Sequence, residues 1–525
     1  MKRTHDLTSS SRRLSVVAAM IAGTVCGAEV SFREPEIIPV PQKVECQPTV
    51  EVRLGAKTPI ALTCADGAAA EWASRHLKSW FGFDPKIDAR QDRPDDVAGD
   101  EGYRLSAKPG LVAVRANSLA GVRHAFHSLR QIVERDSSGE TVSGWRLPAV
   151  EIADSPVLTF RGLHLCWFPE QTADLIERQI RTAAAYKFNV VVLESWGVFA
   201  SERHPWFGWP EKPMTKTVIS HLVKVAADEG VTLVPQLNAW GHAAAARSCT
   251  GKHAALDFHP ERQALFEPWG GQRGSMSSGW NWCLSNPEAV RVVRELVAEL
   301  HEAFGNPPYF HIGCDEADVP TCASCRAVPY AQLVADHIRG IGKLLETRGA
   351  RMLMWHDMLL KRGDPRWKGF YANGSDETAK LPALLPKSLI VCDWYYGSDP
   401  GGTSAEKDRK SLTGKYPTLD YFSKDCGFET LTCPWEEPKG IRAQTAYARE
   451  HGLFGVLGTV WHHFSGPRFP CLVQMDACGA WGRGERLSNG HFATVWRQCG
   501  WDAGAPAYRT SGWYDTQVSR DIQGR

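Results

Sequence analysis

A (β/α)8 TIM barrel preceded by a small α+β domain is the α/β fold class this chain predicts. Three observations carry it. After Asp154-Ser-Pro156, short apolar runs alternate with helical stretches through eight strands. Before that point the pattern is strands with two helices and no repeat. Acids, His and Trp recur at the C-terminal ends of the eight runs, where such a barrel carries its chemistry.

A chain of 525 residues is long enough for two or three domains. With 60 Lys+Arg against 59 Asp+Glu the net charge is +1, so no basic field points to nucleic acid. Residues 1–28 read as an export signal: Lys2, Arg3, Arg12 and Arg13 precede the apolar run Leu14–Val25, and small residues allow cleavage after Ala28. Ser11-Arg12-Arg13-Leu14 fits a twin-arginine signal, whereas Val25 makes a lipoprotein anchor at Cys26 a poor fit. No later stretch is long and apolar enough to cross a membrane. The expectation is a periplasmic or secreted protein. Of 15 Cys, removing Cys26 leaves fourteen that can pair after export. Cys322-Ala-Ser-Cys325 is the one tight pair; a second pair to complete a zinc site is missing, so disulfide or structural thiols are expected and no metal ligand or cofactor is assigned.

Residues 29–155 form the small domain. Strands are expected at Val50–Leu54, Ile60–Thr63, Gly102–Leu105 and Leu111–Val114, with helices at Ala68–Phe81 and Leu119–Val133. The second helix shows Val122, Phe126, Leu129 and Val133 on one stripe. Residues 156–525 form the barrel and a C-terminal extension. Its strands are expected at Leu158–Leu165, Asn189–Leu193, Thr232–Leu237, Tyr309–Ile312, Arg351–Trp355, Ser388–Cys392, Glu429–Thr432 and Gly455–Val460. Helices are expected near Thr172–Lys187, Lys216–Glu229, Pro287–Phe304, Tyr330–Arg348, Thr418–Lys424, Ile441–His451 and Gly490–Gln498, and the link between the fifth and sixth strands is weak as helix.

The strand ends supply one coherent set: Arg161 and Cys166 on the first, Glu194 on the second, His242 after the third, Asp315 and Glu316 on the fourth. Trp355 and Asp357 follow on the fifth, Asp393, Trp394, Tyr395 and Tyr396 on the sixth, Trp435 and Glu436 on the seventh, Trp461, His462 and His463 on the eighth. Asp315 and Glu316 end a buried strand, and like charges this close push one pKa upward, as a general acid requires. Acid groups with aromatic walls suit a glycosidase, since indole faces meet the apolar faces of sugar rings. Among 20 Trp, Trp269, Trp280 and Trp282 fall in the Ser248–Trp282 loop, which is expected to cap the pocket and favour exo action. Adjacent His462 and His463 on a strand point to opposite faces, against both ligating one ion. His311 reads as a buried histidine supporting the acid pair.

These residues resemble glycoside hydrolase family 20, the β-N-acetylhexosaminidases. His311-Ile-Gly-Cys-Asp-Glu316 is similar to the family's most specific motif. Ala120-Gly-Val-Arg-His-Ala-Phe-His-Ser-Leu-Arg-Gln131 is similar to its non-catalytic N-terminal domain, and Asp154-Ser-Pro-Val-Leu-Thr-Phe-Arg-Gly-Leu163 leads into the barrel as the family does. Cys314, Leu193-Glu194 and Trp355-His-Asp357 look closest to the hexosaminidase D-like branch. The resemblance implies substrate-assisted retaining hydrolysis of a glycan, in which the 2-acetamido oxygen replaces a protein nucleophile. Glu316 would be the acid/base and Asp315 would orient the acetamido group. Tyr395 or Tyr396 would donate to its oxygen. Trp355, Trp394 and Trp461 would form the walls, and Arg161 would hold sugar hydroxyls; Glu194, His242, Asp357, Asp393 and Trp435 complete the expected substrate contacts.

The chain departs from the family at Cys166, where an Asp is common, at His463, where a Glu is usual, and at Gln236 and Asn238, where acids are common. These changes touch the groups that would read the sugar, so which N-acetylhexosamine is bound stays open. Two other readings stand beside this one. One is a non-catalytic glycan-binding protein on a degenerate barrel. The other is a retaining β-glycosidase with Glu194, Asp357 or Asp393 as nucleophile, about 5–5.5 Å from Glu316.

Overall fold

The computed structural model describes residues 31–35, 37–136, 144–169, 171–208, 214–243, 254–268, 279–317, 319–396, 416–435, 438–461, 477 and 479–482. The export signal, the helix at Gly490–Gln498, Glu436, His462, His463 and Trp269 lie outside the described residues. No described helix is long and apolar enough to cross a membrane.

The first sheet contains β1 (Lys43–Leu54), β2 (Pro59–Cys64), β3 (Lys86–Arg90), β4 (Tyr103–Lys108), β5 (Leu111–Ala116), β6 (Glu134–Arg135) and β7 (Trp145–Asp154). Its order is β1-β7-β4-β5-β2-β3, with β6 beside β7. Helices Ala69–Phe81 and Leu119–Ile132 bury Trp72, Leu77, Val122, Phe126 and Leu129 in the same core as Leu105, Val112 and Val114. Three of these strands have no clear signal in the sequence. β3 is an edge strand of mostly exposed polar residues, β6 is two residues long, and β7 carries Pro148 opposite a register shift in β1 between Gln47 and Glu51.

The strands of the second sheet are β8 (Phe160–Trp167), β9 (Val190–Ser195), β10 (Thr232–Gln236), β11 (Tyr309–His311), β12 (Arg351–Trp355), β13 (Ile390–Asp393), β14 (Glu429–Thr432) and β15 (Gly455–Thr459). The sheet closes on itself in the order β10-β11-β12-β13-β14-β15-β8-β9, every pair parallel. All eight fall where apolar runs place them, because a strand buried on both faces reads as a continuous hydrophobic run. Phe160, Val192, Val234, Leu353, Trp355 and Leu457 fill the barrel interior. Outer helices begin at caps the sequence advertises: Thr172 accepts from Leu175 N–H, Thr215 from Val218 N–H, and Asn286, followed by Pro287, from Glu288 N–H. The expected helix at Thr418–Lys424 is instead a short α-turn, Pro417–Asp420, running into a π-turn, Tyr421–Asp425.

A buried network joins the sheet to the barrel. Lys187 Nζ lies 3.0 Å from Asp154 Oδ2 and 3.0 Å from Tyr103 Oη, and the Trp481 indole N–H donates to the same carboxylate. Arg161 belongs to this junction. Its guanidinium forms a fork on Glu101, donates to Leu158 O at 2.9 Å and Lys187 O at 3.1 Å, and lies over the Trp481 ring.

Candidate active site

Beyond His311 the chain turns sharply. Gly313, Cys314 and Glu316 have φ of 62°, 73° and 48°. Six described non-glycine residues have positive φ, and four of them, His242, Cys314, Glu316 and Trp461, sit at the C-terminal mouth of the barrel. Such backbone costs about 1–3 kcal/mol per residue and persists where the surroundings over-determine it. Close packing of two loops supplies that constraint. A Cβ on Gly313 would lie 1.9 Å from Asn238 Oδ1, and one on Gly241 would lie 2.1 Å from the Asp315 carbonyl oxygen.

That approach sets His242 against both acids. Its Nε2 is 3.3 Å from Asp315 Oδ2 and 3.5 Å from Glu316 Oε2. Burial opposes a charge on the ring, but the Asp315 and Glu316 carboxylates prevail and lift its pKa to about 10. The two carboxylates therefore share an imidazolium, which weakens the repulsion that adjacency alone predicts. Asp315 is 7% exposed, and its Oδ1 has no hydrogen-bond partner among the described residues. His311 supports the turn by accepting from Gly313 N–H at 3.0 Å, and burial keeps it neutral.

The folded pKa of His242 lies above the unfolded value of about 6.5. Its contribution to stability is therefore complete below about pH 6.5 and is lost as pH rises toward 10. Urea midpoints measured from pH 6 to 10 are expected to fall less steeply in His242→Gln than in the wild type. Parallel curves would contradict this.

Asp357 anchors the acid loop from β12. It accepts from Glu316 N–H at 2.9 Å, from the Asn373 amide at 2.8 Å and from the Trp394 indole N–H at 3.3 Å. Complete burial, with the Asp315 charge second, raises its pKa to about 6. Trp394 stacks on Tyr371 at 4.4 Å and lies 5.2 Å from the Tyr396 ring. The Tyr396 hydroxyl accepts from the Trp461 indole N–H at 2.7 Å, which leaves its own proton to donate, and Trp435 packs on it at 5.0 Å. Trp280 closes the other side. Its indole N–H donates to the Glu316 carbonyl at 2.7 Å and its ring is 4.2 Å from His242. Trp282 instead packs beneath the rim against Phe266 and donates to Asn238 O.

Several sequence expectations need correction. Arg161 is at the opposite end of β8, neutralised by Glu101 and 1% exposed, so it does not hold sugar hydroxyls. Tyr395 points away from the mouth into the outer layer, its ring 4.5 Å from Phe370 in a cluster with Tyr416 and Leu419; strand alternation gives the mouth to Tyr396. Trp355 is wholly buried against His311 at 4.4 Å and Trp461 at 5.7 Å, so it supports the wall without being its surface. Asp393 is likewise buried, with His356 Nε2 3.4 Å away. Glu194 is 2% exposed and occupied by His164 at 3.1 Å, the Asn238 amide at 2.8 Å and the Cys166 thiol at 3.5 Å. Burial and Glu194 raise the Cys166 pKa well above that of a free thiol. The sequence gives no signal for Tyr371 or Asn373, which come from the irregular link after β12. Among the described residues, three groups bring metal-ligating atoms within 4.8 Å of one another: His242, Asp315 and Glu316; His164, Cys166 and Glu194; and Glu267 with Cys283, Cys322 and Cys325.

Residues 34–155 match glycosyl hydrolase family 20, domain 2, and residues 200–412 match the glycosyl hydrolase family 20 catalytic domain. The chain belongs to glycoside hydrolase family 20. It is 26% identical over 369 residues to a chitooligosaccharidolytic beta-N-acetylglucosaminidase of Ostrinia furnacalis, covering 63% of this chain and 56% of that one. It is 24% identical over 364 residues to a beta-hexosaminidase of Porphyromonas gingivalis, covering 62% and 45%. The chain thus spans about half the length of the curated relatives it matches. In fold it is similar to an exo beta-N-acetylglucosaminidase of Vibrio harveyi solved with N-acetylglucosamine, with a TM-score of 0.64 and 15% identity over 94% of this chain and 79% of that one. It is also similar to a beta-N-acetylhexosaminidase of Streptomyces coelicolor, with a TM-score of 0.63 and 18% identity over 91% and 100%.

Proposed function

We propose that this chain hydrolyses glycans at a terminal β-linked N-acetylhexosamine, using the substrate's own acetamido group as nucleophile. The observation that carries the reading is Asp315: buried, held through Oδ2 by His242, with Oδ1 beside Glu316 and without a hydrogen-bond partner among the described residues. Oδ1 accepts the acetamido N–H and turns the carbonyl oxygen toward the anomeric carbon. Tyr396 donates its hydroxyl proton to that oxygen. The oxygen bonds to the anomeric carbon as the glycosidic bond breaks, and Glu316 gives its proton to the departing oxygen. The cyclic oxazolinium carries positive charge that Asp315 stabilises. Water, losing a proton to Glu316, then opens the ring and returns the sugar with its configuration retained.

The other carboxylates are poorly suited to attack a sugar. Asp357 is occupied by three donors, Glu194 by three neighbours, and Asp393 is buried beside His356. Trp280 leaning on the acid pair supports exo action, since it walls one side of the mouth. Nitrophenol release from the β-N-acetylglucosaminide, the β-N-acetylgalactosaminide and the plain β-glucoside tests the reading. Turnover of the acetamido sugars alone is expected, their ratio giving the preferred epimer. Equal cleavage of the plain glucoside would overturn it.

A further inference from the structure

The fold assembles a second constellation that the proposed reaction does not use. Cys322 caps the short helix Ala323–Arg326, and its Sγ accepts from Cys325 N–H at 3.2 Å. Cys283, from the loop before helix Pro287–Ala303, brings its Sγ to 3.7 Å from Cys322 and 3.9 Å from Cys325. A carboxylate oxygen of Glu267 completes the group, all four ligand atoms lying within 4.8 Å of one another. Glu267 is 4% exposed. Its Oε2 accepts from Cys322 N–H at 2.7 Å, Thr321 N–H at 3.0 Å and the Thr321 hydroxyl at 3.1 Å. Its Oε1 has no hydrogen-bond partner among the described residues.

We infer that Glu267, Cys283, Cys322 and Cys325 form a structural site for one zinc ion. Four sulfur or oxygen ligands match the closed tetrahedral coordination of structural zinc. With Zn–S bonds of about 2.3 Å, a tetrahedral edge between two sulfurs is about 3.8 Å. The sulfur separations of 3.7 and 3.9 Å bracket that edge. Three mutually adjacent thiols cannot all pair as disulfides, and one would be left beside a buried carboxylate. A cation resolves both problems, binding the thiolates and the free Oε1 together, while the backbone N–H groups on Oε2 fix the carboxylate from behind.

The site has a structural consequence. It ties Glu267 and Cys283 to the segment that leaves the acid pair. Trp280, three residues before Cys283, is the side chain that packs on His242 and donates to Glu316. Zinc would therefore hold one wall of the mouth in place without touching substrate.

The test is zinc content of the full chain after zinc loading under reductant and dialysis into metal-free buffer, with X-ray absorption at the zinc edge. One zinc per chain with three sulfur ligands and one oxygen ligand is expected. Cys283→Ser and Cys325→Ser are expected to lose the ion, while Cys46→Ser on β1 keeps it. Chelation of the wild type is expected to lower its Tm and shift Trp fluorescence. Two results would overturn the site: wild-type protein with essentially no retained zinc, or a disulfide linking Cys283 to Cys322 or Cys325 in protein purified without reductant. Both readouts use the wild type, so a variant that fails to fold does not decide the matter.

Discussion

Glu316→Gln is expected to lower kcat on a β-linked N-acetylhexosaminyl disaccharide by about 10²–10⁴-fold, the range a positioned acid/base contributes. Gln cannot give a proton to the departing oxygen or take one from water. The backbone is preserved, because the Glu316 N–H still donates to Asp357 and its carbonyl still accepts from Trp280. A merely structural role would affect all substrates alike. An acid role does not: a dinitrophenyl leaving group needs little protonation, so the loss on that substrate is expected to be much smaller. Kinetics on the two substrates, with circular dichroism to verify the fold, check this. Equal losses on both would contradict it.

Asp315→Asn is expected to lower kcat by about 10²–10³-fold, comparable to removing one preorganised electrostatic partner of a transition state. The substitution keeps size and burial but removes the negative charge facing the oxazolinium. With the amide oxygen turned to the His242 N–H, the NH2 group faces the acetamido N–H, which needs an acceptor. The same change strips His242 of the nearer of its two carboxylates. Its pKa is therefore expected to fall from about 10, since the Asp315 charge is the largest influence raising it. NMR titration of the His242 ring reports this separately from kinetics. Full activity in Asp315→Asn would contradict the assigned role.

The barrel was legible because each of its strands is buried on both faces and bounded by turn residues, so apolar run and strand coincide. Asp315 and Glu316 were legible because two acids at the end of such a run have no packing rationale. Legibility failed where direction or distance decides. Tyr395 and Tyr396 are adjacent, and only strand geometry separates the outward side chain from the one at the mouth. Arg161 looks like a sugar ligand in the sequence because it lies on the first barrel strand and resembles the family's sugar-binding arginine, but it sits at the end of β8 far from the mouth. Its partner Glu101 is sixty residues earlier, in the turn before β4. The Cys322–Cys325 pair looked incomplete for the same reason. Its companions Glu267 and Cys283 are 55 and 39 residues before Cys322, with no tight spacing to announce them.

Attack by the acetamido oxygen is the central claim, and its electron density is what to vary. The most direct measurement compares kcat/KM for nitrophenyl β-glycosides bearing acetamido, monofluoroacetamido and trifluoroacetamido groups. If the substrate's oxygen is the nucleophile, fluorine must slow the reaction in graded steps, by about 10²-fold or more across the series, equivalent to about 2.7 kcal/mol of barrier. Rates that stay within about threefold, less than 1 kcal/mol, would place the nucleophile on the protein and contradict the account.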